Sequence, residues 1–312
     1  MLALNITSYS NPSGYQLSEL AKPELSDSKD VIIKVHAASI NPIDVKRANG
    51  MLKLALKDSF PYKIGYDCAG IVTEVGSDVT RVQVGAEVYT RLPEVSRGSC
   101  SEFVKCAEEE IALKPPSLSF EDAASIPLAA MTALQALKKY KGDLAGKTVF
   151  VPAGLIDYTK SDPREVIEFG SVDFLFDTVG SAMEYLCLMK PQSGSIISVS
   201  TLPSGNQLQN SSIMDLPHKP SIPIAFRMAL NAFDCVRKLR ARRYGVEYSY
   251  MFLGSSGRAL DELRNYVEEH RLRTVVGKTV ELSDIEAVRS ACQIVYSGKG
   301  GLGKVVVKVA SR

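Results

Sequence analysis

Three short runs in the middle of the chain set the strongest limit on its fold. Gly146-Lys147-Thr148-Val149-Phe150-Val151, Val172-Asp173-Phe174-Leu175-Phe176-Asp177 and Ser195-Ile196-Ile197-Ser198-Val199 are apolar at consecutive positions, not alternate ones. A strand with one wet face alternates, whereas a strand apolar on both faces fits a parallel sheet covered by helices on either side. Two helices are legible too. Residues 129–139 are rich in Ala, Leu and Lys, and residues 258–270 carry an amphipathic pattern.

The first third reads differently. Val31-Ile32-Ile33-Lys34-Val35-His36 is a short β-branched run, and Gly70-Ile71-Val72-Thr73-Glu74-Val75-Gly76 is closed by glycine at both ends. Val84-Gly85-Ala86-Glu87-Val88-Tyr89 follows closely. Short strands broken by Gly and Pro predict a compact, barrel-like domain. Ser119, three positions before Asp122, marks a helix start. Val305-Val306-Val307-Lys308-Val309 reads as a closing strand. The order is therefore β-rich, then α/β, then β again.

Composition narrows the function classes. The 312 residues, 45% of them hydrophobic, are enough for a sizeable core in two domains or one large one. With 37 basic and 35 acidic residues the net charge is +2, which gives no long-range field for nucleic acid or an anionic membrane. RNA binding is further disfavoured because no basic stretch is interleaved with aromatic residues. No run of about 18 apolar residues would span a bilayer, and Met1-Leu2-Ala3-Leu4-Asn5 lacks the basic and apolar regions of a secretory leader. Six cysteines without a tight framework fit reduced thiols, so a cytoplasmic location is expected. One stretch departs from the even charge. Residues 217–243 begin rich in proline and end in Arg237-Lys238-Leu239-Arg240-Ala241-Arg242-Arg243. This reads as a solvated helix face or as a lip for a partner or substrate.

Several segments then carry a resemblance. Asn41-Pro42-Ile43-Asp44, Gly65-Tyr66-Asp67-Cys68-Ala69-Gly70 leading into Ile71–Gly76, Val84–Val88, and Ala123-Ala124-Ser125-Ile126-Pro127 before Met131-Thr132-Ala133 occur in an order and spacing that matter together. In these the chain resembles the zinc-free, quinone oxidoreductase-like branch of the medium-chain dehydrogenase/reductase superfamily. The resemblance implies an α/β fold: a GroES-like β-barrel domain plus a Rossmann-type doubly wound parallel sheet. The expected boundaries are 1–125 for the GroES-like domain, 126–270 for the Rossmann-type domain and 271–312 for a return to the first. It also implies an NADPH-dependent oxidoreductase that passes hydride to a quinone or conjugated enone, with a small-molecule substrate, homodimers and a cofactor seated in an interdomain cleft. NADH stays open, because the discriminating residue follows the second strand of such a sheet.

Residue by residue, the resemblance assigns Asn41, Thr132, Gly154, Val179, Gly180, Ser200, Thr201, Phe252, Leu253 and Lys304 to the cofactor. Thr132 and Ser200 are equally well explained as local hydrogen-bonders, Gly180 as a turn glycine and Lys304 as a solvated strand-edge lysine. Tyr66 is the candidate proton donor, or else a packing tyrosine with a satisfied hydroxyl. Where zinc-dependent relatives place Cys and a His-Glu pair, this chain has Asn41 and Tyr66-Asp67, and zinc prefers thiolate or imidazole. His36, His218 and His270 are scattered, and Cys100 and Cys106 lack a second pair.

One part of the pattern breaks off. A Rossmann site needs a strand, a glycine-rich turn and a helix N-terminus to hold the pyrophosphate. The strand and Pro152-Ala153-Gly154 are present, but Leu155-Ile156-Asp157-Tyr158 follows in place of further glycines. Helix, strand and helix worth roughly 40 residues are missing by that geometry. Parallel neighbours cannot be joined by a residue or two. Three accounts stay open: a stretch left out of a longer chain, a product that lacks it, or a rebuilt local topology. A chain truly without the turn would be a cofactor-deficient pseudoenzyme or interaction protein. A trans-acting enoyl reductase of a polyketide pathway is the third reading.

Overall fold

The computed structural model describes residues 1–152, 162–298 and 302–309. In chain order the first elements are β1 (Leu2–Ile6), β2 (Gln16–Glu19), β3 (Asp30–Ile40), α1 (Pro42–Ala48), β4 (Tyr62–Lys63), β5 (Asp67–Val75), β6 (Glu87–Arg91), β7 (Phe103–Ala107), β8 (Ile111–Leu113), α2 (Phe120–Ala124) and α3 (Pro127–Lys139). They are followed by β9 (Val149–Phe150), α4 (Pro163–Val166), β10 (Phe174–Asp177), β11 (Ser195–Ser198), α5 (Gly205–Gln209), α6 (Ile224–Arg243) and β12 (Glu247–Tyr250). The chain ends with α7 (Gly257–Glu268), β13 (Val276–Glu281), α8 (Ile285–Ser297) and β14 (Lys304–Lys308). Two compact units result: Met1–Thr132 with Gly254–Arg312, and Ala133–Leu253.

The first unit is built on a seven-stranded sheet of order β13-β14-β3-β5-β6-β8, with β7 also on β3, beside a small sheet β2-β1-β4. The closing strand lies where the tail pattern predicts, antiparallel to β3, with Val305 opposite Ile40 and Val307 opposite Ala38. Its Val306 and Val307 are fully buried. β6 starts at Glu87 and not at Val84, because Ala86 N–H bonds back to the Gln83 carbonyl and Gly85 takes φ 90°. The helix start at Ser119 is as expected: its hydroxyl accepts the Asp122 N–H at 3.1 Å. Gly70 leaves no room for a side chain between β5 and β3; a Cβ there would stand 2.1 Å from the Lys34 carbonyl oxygen.

The second unit holds a four-stranded, all-parallel sheet of order β12-β11-β10-β9. Both faces are covered, as consecutive apolar positions require. Phe174, Phe176 and Ile197 join one cluster with Ala136 and Met251, while Phe150, Leu175 and Ile196 join another with Leu186 and Tyr248. The run at 146–151 contributes only Val149–Phe150 as strand. β9 and β10 are direct parallel neighbours. The connection between them, residues 151–173, exceeds the dozen or so residues a crossover needs. The sequence pattern does not single out α8, although Asp284 caps it and Val288, Ala291 and Cys292 are buried.

Gly70→Ala should lower unfolding free energy by more than about 3 kcal/mol, since backbone must move. Gly298→Ala, at a left-handed helix end with open space around it, should cost only about 1 kcal/mol. Urea titration of both variants measures the contrast; equal losses would contradict the packing described.

Candidate cofactor and substrate site

In the first unit, four elements meet at one carboxylate. β3 ends at Ile40 and α1 begins at Pro42, whose fixed φ suits a helix start, so Asn41 occupies the cap. Asn41 N–H donates to Asp44 Oδ2 at 2.6 Å, and its side-chain Nδ2 donates to Asp67 Oδ2 at 2.9 Å. Asp67 opens β5 and is wholly buried. Its other oxygen accepts the backbone N–H of Leu128 at 3.0 Å, one of the free donors of the first turn of α3. Lys304, the first residue of β14, donates to Asn41 Oδ1, and its Nζ stands 3.6 Å from Asp67 Oδ2. One helical turn further on, Thr132 gives its hydroxyl proton to the Leu128 carbonyl at 2.6 Å, which leaves the oxygen's lone pairs as acceptors.

Burial raises the Asp67 carboxyl above its ordinary range, and Lys304, Asn41 and the Leu128 N–H oppose that rise. Burial lowers the Lys304 ammonium, with Asp67 and Asp44 acting the other way. Asp44 is fully buried, and one of its oxygens has no partner. Burial pushes it up to about 7, against the Asn41 hydrogen bonds.

Tyr66 occupies a separate cluster. It is 1% exposed, and its hydroxyl donates to Glu94 Oε2 at 2.7 Å. Glu94 Oε1 accepts from Arg47 at 2.6 Å and from Arg97 at 3.2 Å, and Arg47 also reaches Asp58 at 2.7 Å. Burial, with Tyr62 and Glu94 nearby, holds the Tyr66 hydroxyl well above the ordinary phenol range. The proton thus stays on the phenol and points at the Glu94 carboxylate.

In the second unit, Val179, Gly180, Ser200 and Thr201 gather where β10 and β11 end. Asp177 organises them. Its Oδ1 accepts the N–H groups of Val179, Gly180 and Ser181 at 3.3, 2.7 and 3.2 Å, and its Oδ2 accepts the Ser198 hydroxyl at 2.8 Å. Ser198 Oγ in turn accepts Thr201 N–H at 3.2 Å, and Thr201 shares a 2.6 Å bond with Tyr248. Ser200 donates to the Thr178 carbonyl at 2.5 Å. Gly180 takes φ 94°, so its glycine is required by the turn. Phe252 and Leu253 follow β12, with the Phe252 ring 4.9 Å from that of Tyr250. Two buried hydroxyl oxygens beyond β10, Thr178 Oγ1 and Ser181 Oγ, have no partner among the described residues. Gly154 lies outside the described residues.

The chemistry-bearing ends of a parallel sheet are its carboxyl ends, where ligands of such folds bind. The two orphaned hydroxyls there fit the polar part of a nucleotide. Sequence reasoning missed that Asp67 and Asp177 hold each group together. Asp67 opens its strand and Asp177 closes its own, and an acid at a strand terminus against apolar neighbours is the signal that would have found them.

Residues 27–120 match the alcohol dehydrogenase GroES-like domain, and residues 153–307 match a zinc-binding dehydrogenase family. The quinone oxidoreductase of Coxiella burnetii has the same fold, with a TM-score of 0.78 and 26% identity across 99% of both chains. The mouse mitochondrial NAD(P)H oxidoreductase RTN4IP1 is 27% identical over 84% of this chain and 78% of its own length. The chloroplastic NADPH-dependent alkenal/one oxidoreductase of Arabidopsis thaliana is 38% identical over 44% of this chain and 36% of its own. The chain belongs to the medium-chain dehydrogenase/reductase superfamily, as an NAD(P)H oxidoreductase related to its quinone oxidoreductases. Among the described residues no three His, Cys, Asp or Glu side chains are grouped to hold a metal ion, and no helix is long and apolar enough to cross a membrane.

Lys304→Met would leave Asp67 buried without its cation and should cost about 3 kcal/mol. Lys304→Met with Asp67→Asn should recover most of that loss in a thermal or urea melt; additive losses would refute the pairing. Asp44 supplies a pH test. Its folded carboxyl keeps a proton that the unfolded chain releases near pH 4, so its contribution favours folding below about pH 4 and fades as pH rises to about 7. Asp44→Asn should remove that part of the slope, raising stability at pH 8 relative to the parent. Parallel stability curves between pH 4 and 7 would exclude it.

Proposed function

We propose that this protein is an NADPH-dependent oxidoreductase that reduces quinones or conjugated enones and alkenals without a metal. The observation that carries this is the pair of partnerless buried hydroxyls, Thr178 Oγ1 and Ser181 Oγ, just beyond the carboxyl end of β10. When bound, a reduced nicotinamide supplies the hydride. The chain's own groups hold and orient it. Val179, Gly180, Ser200 and Thr201 are assigned to the nucleoside side. Asn41, Thr132 and Lys304, with backbone of Phe252 and Leu253, are assigned to the nicotinamide side; Gly154 belongs to the pyrophosphate turn.

The metal-free reading rests on donor chemistry. Asp67 is saturated by an amide, a backbone N–H and an ammonium, so positive charge already stands where a cation would have to go. Without a Lewis acid, simple alcohols are poor substrates, whereas electron-poor double bonds accept hydride directly. We assign Tyr66 to the proton-donating side of the site. Its hydroxyl donates to Glu94, so Tyr66 would have to leave that carboxylate to act, and water is the alternative donor.

With 13 tyrosines and no tryptophan, NADPH binding is readable as quenched tyrosine emission. Chain of verified 312-residue mass should quench with NADPH and oxidise it when given 1,4-naphthoquinone or 2-hexenal, at a rate unchanged by phenanthroline. Absence of affinity for both NADPH and NADH would leave the non-enzymatic reading.

A further inference from the structure

α6 buries little of itself. Leu230, Asp234 and Ala241 face inward. On the opposite side Ile224, Met228, Phe233, Val236 and Leu239 are 53–71% exposed. At 100° per residue these five, with Ala225, Ala229 and Ala232 between them, form one apolar strip along more than four turns. Single exposed apolar residues need no explanation, but a contiguous strip of this size marks an interaction surface.

Charge decides what it meets. The helix carries Arg227, Arg237, Lys238, Arg240, Arg242 and Arg243 against one acid, Asp234, which is buried and paired with Arg237 and Lys238. Arg240, Arg242 and Arg243 are exposed and make no ion pair among the described residues. The chain-wide net of +2 thus conceals a helix of net +5. No exposed acid lies on α6 to answer those arginines in a second copy packed helix to helix. An apolar strip ending in clustered arginines is complementary to a bilayer with anionic headgroups: apolar side chains enter the acyl boundary while guanidinium groups stay at the phosphates.

We propose that α6 docks the second unit peripherally on an anionic lipid surface. The proposal is independent of the reductase reading and is tested by vesicle flotation. The protein should float with phosphatidylcholine vesicles containing 30% phosphatidylglycerol and stay unbound with phosphatidylcholine alone. Binding should weaken at least tenfold between 0.1 and 0.5 M NaCl. Val236→Asp, and separately Arg240→Glu with Arg243→Glu, should each reduce partitioning at least tenfold. Both variants should retain the parent's melting temperature and NADPH binding, since these side chains touch neither the core nor the site. Equal flotation of parent and variants would overturn the proposal. So would failure of the parent to float, including the case in which sedimentation shows a dimer that Val236→Asp dissolves.

Discussion

The buried carboxylate of Asp67 is the contact on which the first unit's site depends. A carboxylate with no exposure to water is costly unless its oxygens are answered. Here they are answered by groups from three distant segments: Asn41 after β3, Leu128 at the head of α3 and Lys304 at the start of β14. The cost of burial therefore becomes a positional constraint. β14 cannot slide along β3, nor α3 withdraw, without leaving the charge unpaired. Asn41 and Thr132 inherit their placement from it.

Asp177 plays the corresponding part in the second unit by a different means. It accepts three successive backbone N–H groups and one hydroxyl, with no cation. Such an arrangement bends the chain just beyond β10 into a tight turn around one oxygen and turns the neighbouring hydroxyls to fixed directions. Both units thus use an acid at a strand terminus to fix polar groups beside it. Only the first adds a counter-charge.

Much of the architecture could be read from the residues. The doubly apolar runs gave the parallel sheet because both faces are in fact packed, Phe174 and Phe176 one way and Leu175 the other. Ser119 and the valines of the tail were legible because capping and burial act locally. The site was less so. Asn41, Thr132 and Lys304 could be named by resemblance, yet what joins Asn41 to Lys304 is a contact across 263 positions that no local pattern encodes. Strand lengths were also hidden. Whether Val84 or Glu87 begins β6 depends on a turn closed by Ala86 and Gln83, and the alternation alone reads the same either way.

The order of the parallel sheet has one more consequence. Its strands run β9, β10, β11, β12 from one margin to the other, in the order in which they occur along the chain. Doubly wound sheets reverse direction at their first strand, and the ligand groove opens between the two diverging crossovers. Among the described residues β9 is the margin itself, so a dinucleotide laid across these strand ends would rest on a shelf with one wall.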